Sequence, residues 1–441
     1  MTNTISYIDI SKGTRKNDFL GNVLLGLSIF LLVLYSVTPG MTATIFGPNG
    51  RGMYAVFLFA IVAFGKSCSP RFSLDNARPT GLLILLILMI VFFNNNYNIK
   101  KGSLEQLAFL YTFFIVSVFG AYSNVWHKHL LNIYIFFSSF FLIMTYAELV
   151  NPTFFISNIM PLFSEGASVK LQMINLRSGY VAGFSANPAI NVSVLALGLA
   201  SLFSLWLNSS SHKKKLFFLV ILFLLTMFIT GKRGPTLFAV CALTYAYFYS
   251  KAENGIKKAI MFILIVLSVV MAFSIIGEFV PEVYNTINRI TNNNSSQGVT
   301  TGRDFIWKRS LSFFYSSPIV GTGWDSLKYL TNTNAHNVYI QLLCEVGMFC
   351  AIIFYAFFII SFVHVNVAIK RIRTEGKNVP PILSFSLIFQ IYFLLYCLTG
   401  NPLYDAFTAL GYLMSCSAGE YYYHNQSIKI ICLPIKGKYI S

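Results

Sequence analysis

The sequence predicts an all-α fold, a polytopic membrane bundle of about 12 transmembrane helices with two large loops on one side. Three observations carry that prediction. The first is composition. The 441 residues are 56% hydrophobic and only 11% charged, with a mean hydropathy of +0.65. A soluble domain carries about 25% charged residues. So little polar surface cannot cover a globular exterior, so most of the chain needs lipid as its solvent. This excludes a secreted enzyme, a cytosolic enzyme and a disordered chain.

The second observation is the recurrence of apolar runs. They lie near 20–37, 53–64, 81–93, 104–121, 129–147, 188–207, 215–230, 234–249, 258–277, 338–365, 382–398 and 403–418. Crossing about 30 Å of hydrocarbon takes about 20 residues at 1.5 Å rise. The runs 53–64 and 81–93 are short and must borrow flanking residues, so twelve spans are expected, with ten or eleven as the alternatives. The run beginning near Leu20 is long and lacks a small-residue cleavage site, and it reads as the first span rather than a cleaved signal.

The third observation is where the cations fall. One set of loops, with the two termini, holds 20 of the 32 Lys and Arg, among them Lys213, Lys214, Lys215, Lys370, Arg371 and Arg373. Seven of the other twelve fall in the two longest loops, which escape the positive-inside bias. Both termini are therefore expected on the cytoplasmic side. The formal charge of +17 reads as an anchor to the anionic leaflet of the lipid bilayer, and no nucleic acid partner is expected. The whole chain, 1–441, is expected to form one integral membrane domain. Its outward side carries a first large loop at 148–187 and a second at 278–335, the second with a short amphipathic helix. Connections this long inside a bundle are usually functional. Thr291 to Gly298 is a low-complexity stretch rich in Asn and Ser.

The cysteines, Cys68, Cys241, Cys344, Cys350, Cys397, Cys416 and Cys432, avoid both loops and form no CxxC. They read as small buried hydrophobes, and neither a disulfide framework nor a metal site is expected. No cofactor is expected either.

Chemistry is carried by outward cations that ignore the topological trend. Thr230-Gly231-Lys232-Arg233-Gly234-Pro235 is a turn of very few residues between two apolar runs. Pro235 suits the first turn of the following helix. That holds Arg233 near the membrane boundary, either as an interfacial arginine or as a ligand group. The stretch Thr301-Gly302-Arg303-Asp304 opens a helix with a capping-box-like start. Arg303 then lies in a first turn, where a cation opposes the helix dipole; it pairs with Asp304 or serves a site. Phe305, Ile306, Leu311, Phe313 and Phe314 are the residues expected to lay this helix on the bundle. Glu345 either faces the site or bonds a neighbour, the latter being favoured. Of six histidines, only His336 falls on the outward side, in Asn334-Ala335-His336-Asn337 at the entrance to the run at Val338. It is a proton carrier or a helix-end packing residue. Arg177, in Leu176-Arg177-Ser178-Gly179-Tyr180, is a solvated or a functional loop charge. Arginines and one histidine on the outward face of a membrane bundle suit a lipid-linked diphosphate, which guanidinium groups grip bidentately.

These residues resemble the O-antigen polymerase and O-antigen ligase superfamily. The likeness runs from about 177 to 350. It comprises Arg177-Ser178-Gly179 with Asn187-Pro188, Lys232-Arg233-Gly234 after an apolar run, and Thr301-Gly302-Arg303 with Trp307, Pro318 and Gly321-Thr322-Gly323. His336-Asn337 with Gly347 completes it. One departure is Cys350, where these proteins often have a second glycine. The resemblance implies a multi-pass protein of the bacterial inner membrane. It also implies a metal-independent glycosyltransferase acting on undecaprenyl-diphosphate-linked oligosaccharides at the periplasmic face. In a polymerase, the growing glycan moves to an incoming lipid-linked repeat unit, with a chain-length regulator as a further partner. In a ligase, it moves to the lipid A core. Polymerase is favoured, because the compact stretch from Arg303 to His336 with Gly321-Thr322-Gly323 resembles the polymerases. Implied catalytic residues are Arg233 and Arg303 on the diphosphate and His336 as base. Arg177, Lys232 and Asn337 are the implied substrate-binding residues. A flippase or other transporter is the remaining alternative, but such proteins need ionisable residues facing a cavity at membrane depth.

Overall fold

The computed structural model describes residues 19–37, 51–68, 101–162, 166–185, 187–208, 212–250 and 303–431, with Gly81 and Ile87. Among them there is no strand. In order the helices are α1 (Phe19–Val37), α2 (Arg51–Cys68), α3 (Lys101–Gly120), α4 (His127–Val150), α5 (Gly166–Arg177), α6 (Pro188–Asn208), α7 (Lys213–Ile229), α8 (Arg233–Ser250), α9 (Arg303–Ser316), α10 (Ser326–Thr331), α11 (Val338–Thr374), α12 (Pro381–Tyr396) and α13 (Ala406–Ile431). The expected runs at 81–93 (beyond Gly81 and Ile87) and 258–277 lie outside the described residues. So do Thr291 to Gly298, Thr301 and Gly302. Each other run forms a helix.

Among the described residues four helices are long and apolar enough to cross a membrane: α1, α4, α6 and α11. The surfaces of these and of α2 and α7 suit the same solvent. Leu58, Val62, Phe136, Ile143, Phe218 and Ile359 are exposed on the helix flanks, which water would not tolerate across a whole bundle. Helices suit lipid because each satisfies its own backbone groups.

α6 is the hub, packed against α4, α7, α8 and α12, while α13 packs against α3, α11 and α12. Small residues permit the closest crossing. Ser138 on α4 donates to Val194 O at 2.6 Å, and a Cβ on Gly198 would stand 2.3 Å from the Ser138 Cβ. Close backbone approach of this kind replaces the missing hydrophobic drive between helices in lipid.

The run at 338–365 does not make one straight helix. Gly347 sits at φ 75°, ψ 173° inside α11, and the chain folds back there. The Tyr355 hydroxyl donates to Tyr339 O at 2.6 Å, and the two rings lie 5.7 Å apart. In a continuous helix residues sixteen apart would be separated by about 24 Å. α11 is therefore a helical hairpin with legs 338–346 and 348–374, and the second leg alone is long enough to span. The turn at 317–323 caps the break. Thr322 N and Gly323 N donate to Cys344 O and Glu345 O at 2.9 and 2.8 Å, and Met348 N donates to Pro318 O at 2.9 Å. These bonds satisfy helix-end groups that would otherwise be orphaned. The glycines of Gly321-Thr322-Gly323 thus serve the hairpin.

Candidate functional site

Both large loops are pinned by a buried carboxylate. In the first, Glu148 near the end of α4 accepts from Gly183 N at 2.6 Å and from the Gln172 side chain on α5. Phe184 fills the adjoining gap against Phe140 and Phe141. α5 ends in Arg177, whose side chain is exposed. What this loop delivers to the bundle is Tyr180: Lys232 Nζ stands 4.4 Å from the centre of its ring.

In the second loop Glu345 is fully buried. It accepts from Asp325 N at 2.9 Å, Leu327 N at 3.2 Å, Gln341 Nε2 at 3.0 Å and the Tyr404 hydroxyl at 2.6 Å. It bonds its neighbours, as favoured from the sequence, and in doing so ties α11, α10 and the 404 turn together. Gln341 also accepts from Ala335 N at 3.2 Å, next to His336. Glu345→Ala orphans four buried donors at about 1–3 kcal/mol each. We expect a large fall in the unfolding temperature of the detergent-solubilised protein. Glu345→Gln fares little better, because its amide nitrogen faces donors. A melting curve unchanged by both would refute the clamp.

α9 lies along the first leg of α11. Trp307 Nε1 donates to Ala335 O at 2.9 Å, and Cys344 Sγ donates to Ser310 O at 3.0 Å. Ile306, Leu311, Phe313 and Phe314 are half-buried as expected, but Phe305 is 70% exposed. The buried face of the helix passes through Ser310, so Phe305 falls on the side turned away from the bundle.

This scaffold brings one group of cations together. Arg303 is the first residue of α9 and half-buried. Among the described residues it forms no ion pair with Asp304 and no hydrogen bond. His336 is held by Trp307 and Gln341 through Ala335 and by the cap at Asn337. It adopts φ 52°, a left-handed backbone that costs a non-glycine residue about 1 kcal/mol. Such strain is retained where the surroundings over-determine it, commonly at functional sites. His336 is exposed at one edge, yet its imidazole is pushed below its ordinary pKa by partial loss of hydration and then by the positive charges of Arg303 and Lys232. These three residues, more than a hundred positions apart at the extremes, therefore share one electrostatic environment. Neutral at pH 7, the imidazole can accept a proton.

Asn337 caps α11, accepting from Ile340 N at 3.2 Å, while its amide donates to Leu398 O at 3.3 Å. Val338 N donates to Cys397 O at 2.9 Å. Both ends of the Asn337 amide are engaged, which makes it a support for His336. Arg233 opens α8 and is half-buried. Its neighbour Gly234 lies against Thr399, whose hydroxyl would stand 3.4 Å from a Cβ there.

The turn at 396–405 is the part that sequence reasoning missed. Arg303 and Asp405 both act electrostatically on Tyr396, and Asp405 caps α13 by accepting from the backbone N–H groups of Phe407 and Thr408, with the Thr408 hydroxyl as a further donor. Burial raises the Asp405 carboxyl to about 6. Thr399-Gly400-Asn401-Pro402 is a legible turn signal, as Tyr180 was legible within its loop. Neither announces its neighbours. Among the described residues no three His, Cys, Asp or Glu side chains could hold a metal ion.

Residues 217–355 match the family model described as O-antigen ligase. The matched segment is similar to that family. It contains Lys232, Arg233, Arg303 and His336 and takes in about a third of the 441 residues. No curated protein matches the chain. The O-antigen ligase family covers both polymerases and ligases of O-antigen, and its members are glycosyltransferase-like enzymes. The match and the apolar helices both fit a multi-pass membrane protein.

A pH profile tests the site's electrostatics. A reaction that needs neutral His336 loses rate as pH falls through the imidazole pKa, which lies below the usual value near 6.5. Lys232→Met removes a positive charge, raises that pKa and moves the acid limb of kcat/KM to higher pH. An acid limb that stays in place would show that Lys232 does not act on the titrating group.

Proposed function

We propose that this protein polymerises O-antigen or a related surface polysaccharide at the periplasmic face of the bacterial inner membrane, with both termini cytoplasmic. It moves the growing glycan from undecaprenyl diphosphate to the terminal sugar of an incoming lipid-linked repeat unit. The observation that carries this reading is the half-buried Arg303 sharing one electrostatic environment with Lys232 and His336, at one end of an apolar bundle. The acceptor hydroxyl attacks the anomeric carbon of the donor and passes its proton to His336 Nδ1 or Nε2. The bond from the anomeric carbon to the diphosphate oxygen breaks with inversion. Arg303, Lys232 and Arg233 stabilise the charge that grows on the departing diphosphate, the kind of fixed electrostatic contribution that dominates many transferases. Cationic side chains here do the work that a metal does in other glycosyltransferases. Arg177, exposed at the end of α5, adds a third contact to the diphosphate or binds the sugar chain, and its exposure supports the latter.

The ligase reading shares all of this chemistry and differs only in the acceptor, the lipid A core. The compact stretch between Arg303 and His336, folded into α9, α10 and the hairpin cap, favours the polymerase. Lipopolysaccharide from a strain lacking the gene separates the two. Core bearing a single repeat unit supports the polymerase. Bare core with accumulating lipid-linked polymer supports the ligase. An unchanged ladder overturns both. Labelling of an Asn332→Cys variant by an impermeant maleimide in intact spheroplasts tests the sidedness, and a thiol reachable only after lysis would overturn it.

A further inference from the structure

The apex of the α11 hairpin carries an apolar patch that the reaction does not use. The cap at 317–321 sets Ile319 and Val320 beside Met348, Phe349 and Ile352. Their exposures are 60, 59, 41, 58 and 53%. The close backbone contact between Ile319 and Gly347 fixes this grouping.

Two observations say what covers it. Phe349, Ile352, Ile359 and Val363 are all exposed and fall on one face of the second leg at helical spacing. On a membrane-crossing helix that face meets lipid, and the apex patch continues it. Lys370 is the first cation at the far end of this leg. About 20 residues, or about 30 Å, counted back from it end near residue 350. The apex therefore lies where hydrocarbon gives way to headgroups. The exposed face of α9 suits that level: Tyr315 is 74% exposed, and Lys308 and Arg309 are exposed beside it. Aromatic and basic side chains concentrate at that boundary.

We propose that Ile319, Val320, Met348, Phe349 and Ile352 form an anchor seated among the lipid acyl chains just below the headgroups on the site's side of the bilayer. The anchor rests on the multi-pass membrane reading and is independent of the reaction assigned above. Its role is to set height. α9 and the first leg are short rigid helices joining the anchored apex to Arg303 and His336. A fixed apex therefore holds those two side chains at a constant level relative to lipid phosphates.

Single-position variants Ile319→Cys, Phe349→Cys and Asn332→Cys test this in vesicles of phosphatidylethanolamine and phosphatidylglycerol. Each carries an environment-sensitive thiol fluorophore, and the unvaried protein is labelled in parallel to subtract native thiols. Lipids doxyl-labelled near the headgroup should quench probes at 319 and 349 at least about threefold more than aqueous iodide does, as expected for side chains in the interface. Asn332, exposed and polar, should show the reverse order. Iodide quenching at 319 and 349 equal to that at 332 would overturn the anchor. Shielding of both positions from both quenchers would also overturn it, pointing to a protein partner.

Discussion

Replacing Arg303 with alanine is expected to abolish polymer formation while the protein still accumulates in the membrane. Arg303 makes no ion pair or hydrogen bond among the described residues, so little stability should be lost on its removal. What disappears is a guanidinium that acts on His336 and Tyr396 from the start of α9. Removing one preorganised charge donor typically costs a factor of about 10²–10³ in rate. Arg303→Lys keeps the charge but loses the planar fork that grips a diphosphate, so it should recover only part of the activity. Arg233→Ala should fall comparably. Lipopolysaccharide ladders from complemented deletion strains, read beside an immunoblot of membrane protein, measure this directly. Normal ladders from both alanine variants would sink the diphosphate role of the arginines.

Gly347→Ala should damage the fold itself. Its φ of 75° and ψ of 173° lie in a region essentially reserved for glycine. A Cβ there would stand 2.1 Å from Ile319 O and 2.5 Å from the carbon behind it. Both are backbone atoms and cannot swing away. Gly321 faces the same problem from the other side, with a Cβ 2.4 Å from Glu345 O. The hairpin and its cap must part to admit either methyl group. Loss of at least about 3 kcal/mol is expected, the upper range for strain combined with overpacking. Thermal unfolding followed by size-exclusion chromatography in detergent should show the loss, with ladders falling in step. Gly376→Ala is the control. Gly376 also has a positive φ, of 68°, but nothing lies within 4 Å of its Cβ position. It should cost only about 1 kcal/mol, the ordinary penalty for a left-handed residue. Equal melting curves for Gly347→Ala and Gly376→Ala would refute the backbone latch.

How legible each part was depends on the range of the interaction behind it. The helices were legible because hydropathy over about 20 residues decides them. α6 and α7 begin and end within two residues of the runs read at 188–207 and 215–230. The turn holding Lys232 and Arg233 was legible from its glycines and Pro235. The break at Gly347 was not. A single residue reverses the chain without interrupting the apolar pattern, so the run at 338–365 reads as one helix. Glu345 was legible as a buried carboxylate, while its four donors, drawn from α10, α11 and the 404 turn, were not.

The sequence by itself determined that this chain dissolves in lipid, where its helices form, and that arginines and a histidine collect in the segments between them. Those properties follow from composition and short-range pattern. Only the tertiary structure decided that Lys232, Arg303 and His336 share one environment. It also decided that Tyr180, Tyr396 and Asp405 adjoin that environment, and that Asn337 supports His336. Those outcomes depend on which helix packs on which, and on a hairpin whose two legs meet because one glycine allows the backbone a conformation that other residues resist.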